Sequence, residues 1–161
     1  MTTFKDLYLQ YSTDVYRFAY WLTGDAADAE DITSETFIRA WANFQPARTE
    51  TLKAYLFTIA RNFYLQQLRK QKRYGKLTEM HPDPRPGPEQ VAEHNDELQL
   101  MKRILKTLPE SDRTAFVLRV QNDLSYAEIA RILALSEVAV KVKVHRARKK
   151  MLAACSVKEV A

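Results

Sequence analysis

Four of the six prolines and two of the three glycines of this 161-residue chain lie in or beside one stretch, HPDPRPGPEQ at positions 81–90. Proline fixes φ and lacks an amide proton, so such a stretch can neither continue a helix nor pair within a sheet. It divides the chain once and leaves both flanks nearly free of helix breakers. Residues 1–74 and 94–156 therefore read as two small domains, 75–93 as a flexible linker and 157–161 as a tail. Each domain can bury only a modest core, so partner binding is expected to help order it.

Helical periodicity runs through both flanks, and the predicted fold is all-α. Phe4, Leu7, Tyr8, Tyr11, Val15, Phe18, Ala19 and Leu22 form one apolar stripe that ends at Thr23-Gly24. Asp25 can cap a second helix with Ala29, Thr33, Thr36, Phe37, Ala40 and Phe44 on its apolar side and Pro46 beyond its end. A third helix shows Leu52, Tyr55, Leu56, Ile59, Ala60, Phe63 and Leu68. Patterning resumes after the linker with Leu98, Met101, Ile104, Leu105 and Leu108. The alternation Val138-Ala-Val-Lys-Val-Lys-Val144 has a strand's period, but it runs without a break into HRARKKML and reads as helix.

The net charge of +5 is modest, and its distribution says more. Lys141 to Lys150 holds six Lys or Arg and no acid, Arg61 to Arg73 five and no acid, and Asp25 to Glu35 five carboxylates and no base. Charges segregated in this way suit more than one macromolecular surface. A single cysteine, Cys155, cannot form an internal disulfide, which fits a reducing compartment. The first residues have no signal-peptide pattern, and no apolar run reaches the ~20 residues of a membrane span. A cytoplasmic protein is expected.

The C-terminal half carries the most specific local pattern. Thr107-Leu-Pro-Glu110 and Ser125-Tyr-Ala-Glu128 both have capping-box spacing. The second opens a short helix with Ile129, Ala130 and Leu133 inward; Ala134-Leu-Ser136 then turns the chain, and Ser136 caps the next helix. Leu135, Val140, Val144 and Ala147 are expected to hold the two helices at a fixed angle. This is a helix-turn-helix, whose second helix can enter the DNA major groove. Its outer face offers Lys141, Lys143, His145, Arg146, Arg148, Lys149 and Lys150 as donors to phosphates and guanine edges.

The segment LPESDRTAFVLRVQNDLSYAEIARILALSEVAVKVKVHRARKKM resembles region 4 of extracytoplasmic-function (ECF) sigma factors, approximately LPxxxRxxFxLxxxxxLSYxEIAxxLxISxGTVKSRLHRARxxL. The resemblance implies recognition of the −35 promoter element by Lys141, Val142, Lys143, His145 and Arg146. Phosphate contacts are implied for Ser125, Tyr126, Arg148 and Lys149. Ala134 replaces the family glycine of the turn, Val138-Ala139 its Gly-Thr, and Val142-Lys143-Val144 its Ser-Arg-Leu. Val142 then offers an apolar contact suited to a thymine methyl where the family has a hydroxyl.

In the N-terminal half, Asp28, Asp31, Glu35 and Arg39 fall on one side of the second helix, flanked by Ile32, Ile38 and Trp41. A charged strip bordered by large apolar groups suits a protein contact. The segment YRFAYWLTGDAADAEDITSETFIRAW resembles sigma region 2, typically RFAxxxTGDxxDAEDLxQETFxRAW. That resemblance implies docking on the clamp helices of the polymerase largest subunit through Asp31, Ile32, Glu35, Ile38 and Arg39. Ser34 replaces the usual glutamine.

The third helix, TLKAYLFTIARNFYLQQLRKQKR, is similar to the family segment that opens the −10 element. Arg61, Arg69, Lys70, Lys72 and Arg73 can follow a DNA backbone, and Asn62 stands at the family's asparagine beside a flipped-out base. The loop from Asn43 to Leu52 is expected to complete that pocket, whereas Tyr55 and Phe63, on the apolar stripe, are expected in the core.

The resemblance implies no catalysis, no cofactor and no metal. It implies four partners: core RNA polymerase (the clamp helices and the flap of the second-largest subunit), duplex DNA at −35, single-stranded DNA at −10, and an anti-sigma factor. Two other readings are open on the residues alone. A stand-alone helix-turn-helix regulator predicts a dimer on palindromic duplex sites. A small helical metalloenzyme would use Asp28, Asp31 and Glu35, but no histidine lies near them in sequence and no metal-ligand spacing occurs.

Overall fold

The computed structural model describes residues 3–43, 52–78 and 96–160, all but a few in seven α-helices, with no strand among them. The pocket-completing loop and most of the proline-rich linker lie outside the described residues, as does Phe44.

Helix α1, Phe4–Thr23, starts behind Thr3, whose side chain caps Asp6 in a reciprocal capping box. It ends on Gly24 at φ +71, a left-handed C-cap that glycine adopts without a Cβ penalty. Asp25 then accepts from the Asp28 amide at 2.9 Å and opens α2, Ala26–Ala42. Helix α3, Leu52–Thr78, runs past the sequence boundary at 74 and through Gly75. Helices α1, α2 and α3 pack on one another around Val15, Phe18, Ala19, Ala29, Ile32, Leu56, Phe57 and Ala60. The Phe18 and Phe57 rings meet edge to face at 5.2 Å, the arrangement that aromatic quadrupoles favour.

The second domain comprises α4, Asp96–Thr107; α5, Glu110–Val120; α6, Tyr126–Leu133; and α7, Glu137–Val160. The alternating valines of 138–144 are helical: Val140 and Val144 face the core with Ala147 and Met151 at i+7 and i+11, a 3.6-residue spacing. Ser125 forms the predicted capping box with Glu128, and the Ser136 hydroxyl accepts from the Ala139 amide at 3.1 Å. Two sequence expectations fail here. Thr107 ends α4 and donates back to the Ile104 carbonyl, so α5 begins behind Pro109 with no side-chain cap. Leu135 is partly exposed at the tip of the turn and does not join the core.

The two domains lie against each other: α3 packs on α6, and α1 packs on α4 and α5. Asn122 donates to the Asp14 carbonyl at 2.9 Å, and Arg113 bridges the domains at Tyr64. The same Arg113 guanidinium donates to the carbonyls of Leu105, Lys106 and Leu108, closing the C-terminal end of α4. One side chain thus finishes a helix and fastens a domain.

Candidate polymerase and nucleic-acid interfaces

Helix α2 turns Asp31, Ser34, Ile38 and Trp41 to solvent, one line at i, i+3, i+7 and i+10. Ile38 is 62% exposed and Trp41 63%. Trp41 is nonetheless fixed in place, its ring edge-on to Phe4 at 4.7 Å. Two large apolar groups held open beside a carboxylate make the most prominent mixed patch of the first domain. Glu35 and Arg39 do not lie free beside it. They pair at 3.0 Å, Arg39 donates to Gln66 at 3.2 Å, and its guanidinium rests 5.1 Å from the centre of the Phe63 ring. Arg39 therefore ties α2 to α3.

On α3 the outward line is Tyr55, Asn62, Arg69 and Arg73, with Lys70 and Lys72 exposed on either side. An aromatic ring and an amide at one end and cations at the other suit an unstacked base and its backbone. Arg61 points elsewhere. It donates from Nε and Nη2 to the two carboxylate oxygens of Glu110 in the second domain, at 3.0 and 2.9 Å. Burial alone pushes the Glu110 carboxyl up. The hydrogen bonds from Arg61 and Thr114 and the charges of Arg61 and Arg113 outweigh that and hold it below the ordinary glutamate range.

Helices α6 and α7 form the predicted helix-turn-helix, joined through Ala134 at φ 55. Tyr126, at the start of α6, has two cations over its ring, with Arg119 4.3 Å and Lys141 5.5 Å from the ring centre. Helix α7 exposes Val138, Lys141, Val142, His145, Arg146, Arg148, Lys149 and Lys150. Lys143 turns inward, donating to Ser111 at 3.0 Å and to the buried Asp112 at 3.3 Å. Arg146 reaches the same Asp112 oxygen at 3.4 Å while staying largely exposed. Among the described residues no three His, Cys, Asp or Glu side chains come together as a metal-binding group.

Comparison with known proteins falls on these two domains. Residues 7–74 match the Sigma-70 region 2 family and residues 98–151 match Sigma-70, region 4. The chain is 30% identical over 153 residues to the ECF RNA polymerase sigma factor SigM of Bacillus subtilis, with 94% of each chain covered. The chain belongs to the extracytoplasmic-function sigma factor family. It is also 34% identical over 157 residues to the ECF sigma factor SigE of Mycolicibacterium smegmatis, spanning 61% of that protein's length. Among solved structures it is similar to the sigma factor RpoE of Bartonella quintana in complex with the anti-sigma factor NepR. That likeness has a TM-score of 0.74 at 28% identity and covers 96% of this chain and 97% of that one. CnrH in complex with the cytosolic domain of CnrY gives 0.70 at 26% identity, over 96% and 88%.

With the family established, the side-chain positions revise several expectations for this sigma factor. Ile32, expected at the polymerase surface, has no exposed area and belongs to the core of region 2. Its place on the outward line is taken by Ser34 and Ile38. Tyr55, expected in the core, is 38% exposed beside Asn62's face, whereas Phe63 is covered by Arg39. Lys143 and Arg61, expected to meet DNA, are each held by a carboxylate of α5. Those carboxylates, Glu110 and Asp112, and the bridging Arg113 had no functional assignment from sequence. Their one signal was LPESDR itself, a cluster of charge at a helix start.

Proposed function

We propose that this chain is a promoter-recognition subunit that docks on core RNA polymerase and directs initiation at promoters with a −35 and a −10 element. It carries no bond chemistry, as befits a sigma factor and not an enzyme. The reading rests on one arrangement above all. A single chain of the family presents an acidic–apolar strip on α2 and a capped helix-turn-helix with a basic outer face on α7. The first suits a protein partner and the second duplex DNA.

In this reading Asp31, Ile38 and Trp41 engage the clamp helices of the largest subunit, with Glu35 and Arg39 buttressing them. The flap of the second-largest subunit meets region 4. Helix α7 enters the major groove at −35, with Ser125, Tyr126, Arg148 and Lys149 on phosphates. Asn62, Arg69, Lys70 and Arg73 hold the separated −10 strand, where contacts to unstacked bases offset the few kcal/mol per step that unstacking costs. Each phosphate neutralised on duplex DNA contributes a slope of about −0.9 to the salt dependence of binding. Domain limits near 74 and 94 give the proline-rich segment the role of a linker between the two sites. Of two proteins of similar structure, RpoE is seen with the anti-sigma factor NepR and CnrH with the cytosolic domain of CnrY, which supports a protein inhibitor here. The workplace is the cytoplasm, where core polymerase is; among the described residues no helix is long and apolar enough to cross a membrane.

Co-elution of the full chain with bacterial core RNA polymerase tests the reading, with Asp31→Arg as the control. A complex lost on that charge reversal supports it. A chain that ignores polymerase, elutes as a dimer and shifts palindromic duplex DNA by itself is a stand-alone regulator.

A further inference from the structure

The recognition helix has an unexpected face. Its buried side is Val140, Val144, Ala147 and Met151. The line diametrically opposite runs through Val138, Val142, His145 and Lys149, all exposed. So the outermost groups on the first two turns of α7 are two valines, 70% and 48% exposed. The flanks of this face hold the polar groups: Lys141 beside the Tyr126 ring, Glu137 at the start, and Lys143 drawn away onto Asp112. In a helix-turn-helix the N-terminal residues of the second helix meet base edges, while later residues and the preceding helix meet the backbone. Two β-branched apolar side chains at that place have no hydrogen bond to offer.

The major groove contains one apolar group, the C5-methyl of thymine. We propose that Val138 and Val142 form a methyl-reading pair that makes this protein select thymines at the upstream element, with His145 supplying a donor farther along the groove and Lys149 one to the phosphates. The spacing is compatible with two contacts. Four helical residues rise about 6 Å, and base pairs stack about 3.4 Å apart, so the valines are separated by about two base-pair steps. The basic surroundings supply affinity for any duplex; the valines supply the preference. This inference rests on the sigma reading of α7 and specifies what that helix reads.

The experiment uses holoenzyme reconstituted from full-length protein and core polymerase, selecting upstream duplexes from a pool randomised around −35. Wild type is expected to enrich thymine at two positions one or two base pairs apart. Replacing either thymine by deoxyuridine removes the methyl alone and should weaken binding about three- to fivefold, the effect of burying one methyl. Val142→Ser should lose the same factor on thymine and become indifferent to deoxyuridine at one of the two positions; Val138→Ser should do so at the other. Both sites are exposed, so the fold tolerates the changes, and a structural effect would not track one methyl group. Enrichment without thymine, equal binding of thymine and deoxyuridine by wild type, or full methyl sensitivity in Val142→Ser overturns the inference and leaves the sigma reading standing. Holoenzyme that forms but enriches no upstream element overturns both the inference and the −35 role of α7.

Discussion

Glu110→Gln is the smallest change that tests whether the docked domain arrangement governs this protein. The substitution keeps the shape of the side chain and an oxygen to accept from Thr114, but removes the charge and turns one of the two acceptors that Arg61 grips, at 3.0 and 2.9 Å, into a donor. Hydrogen bonds to a charged group contribute about 1.5–3 kcal/mol each. Here both partners keep some water contact, at 18% and 22% side-chain exposure, and solvent screening reduces the two bonds together to about 2 kcal/mol. At about 1.4 kcal/mol per factor of ten, the ratio of docked to undocked molecules falls roughly 30-fold. Energy transfer between dyes on the exposed Cys155 and on Leu9→Cys reads the change directly in free protein. Glu110→Gln and Arg61→Gln should each lower the efficiency, and the double variant should add little to either. Acid should act like the substitution. A carboxyl held below its ordinary value of 4.5 stabilises docking fully above that pH and ceases to as pH falls through its lowered value. Unchanged transfer in both single variants at pH 7 would refute the reasoning and leave docking to the apolar contacts and Arg113.

Ala134→Gly should stabilise region 4 by about 1 kcal/mol, because an alanine held at φ 55 carries a Cβ penalty that glycine lacks; a lowered melting temperature would contradict this. Phe18→Ala should destabilise region 2 by about 3–5 kcal/mol, since the ring is fully buried and packed edge-on against Phe57; urea unfolding measures it. Ile38→Asp should abolish co-elution with core polymerase at little cost in stability, its side chain being 62% exposed. Ile32→Asp should unfold the domain, which separates a surface role from a core role by circular dichroism.

Secondary structure was legible wherever the signal was local. Gly24, Asp25, Ser125 and Ser136 act within four residues of themselves, and each does what its type and position predict. The all-helical class followed from one proline-rich break and unbroken periodicity on both sides. Thr107 failed because two motifs compete for it. Its spacing to Glu110 is that of a capping box, but Thr107 is the last residue of α4, so its hydroxyl bonds back to the Ile104 carbonyl and α5 starts only at Glu110, behind Pro109. Ile32 and Tyr55 failed for another reason. A three-helix core of this size fills from two sides of each helix, and a single helical wheel cannot say which borderline residue a neighbouring helix will cover.

The interfaces were legible as charge and not as pairing. Basic runs at 61–73 and 141–150 suit the proposed nucleic-acid contacts, yet no spacing rule links Arg61 to Glu110 across 49 positions, or Lys143 to Asp112 across 31. Both carboxylates sit in the first turn of α5, where the helix dipole also favours negative charge. Two residues apart on that turn, they face opposite ways. Glu110 holds a cation of the −10 helix, and Asp112 holds two of the −35 helix. One turn of helix therefore holds cations from both proposed DNA-binding faces. The two cases differ in consequence. Asp112 is almost fully buried and joins α5 to α7 within one domain, so Lys143 stays committed whatever the domains do. Glu110 joins the domains, so Arg61 becomes available only in an arrangement in which they part.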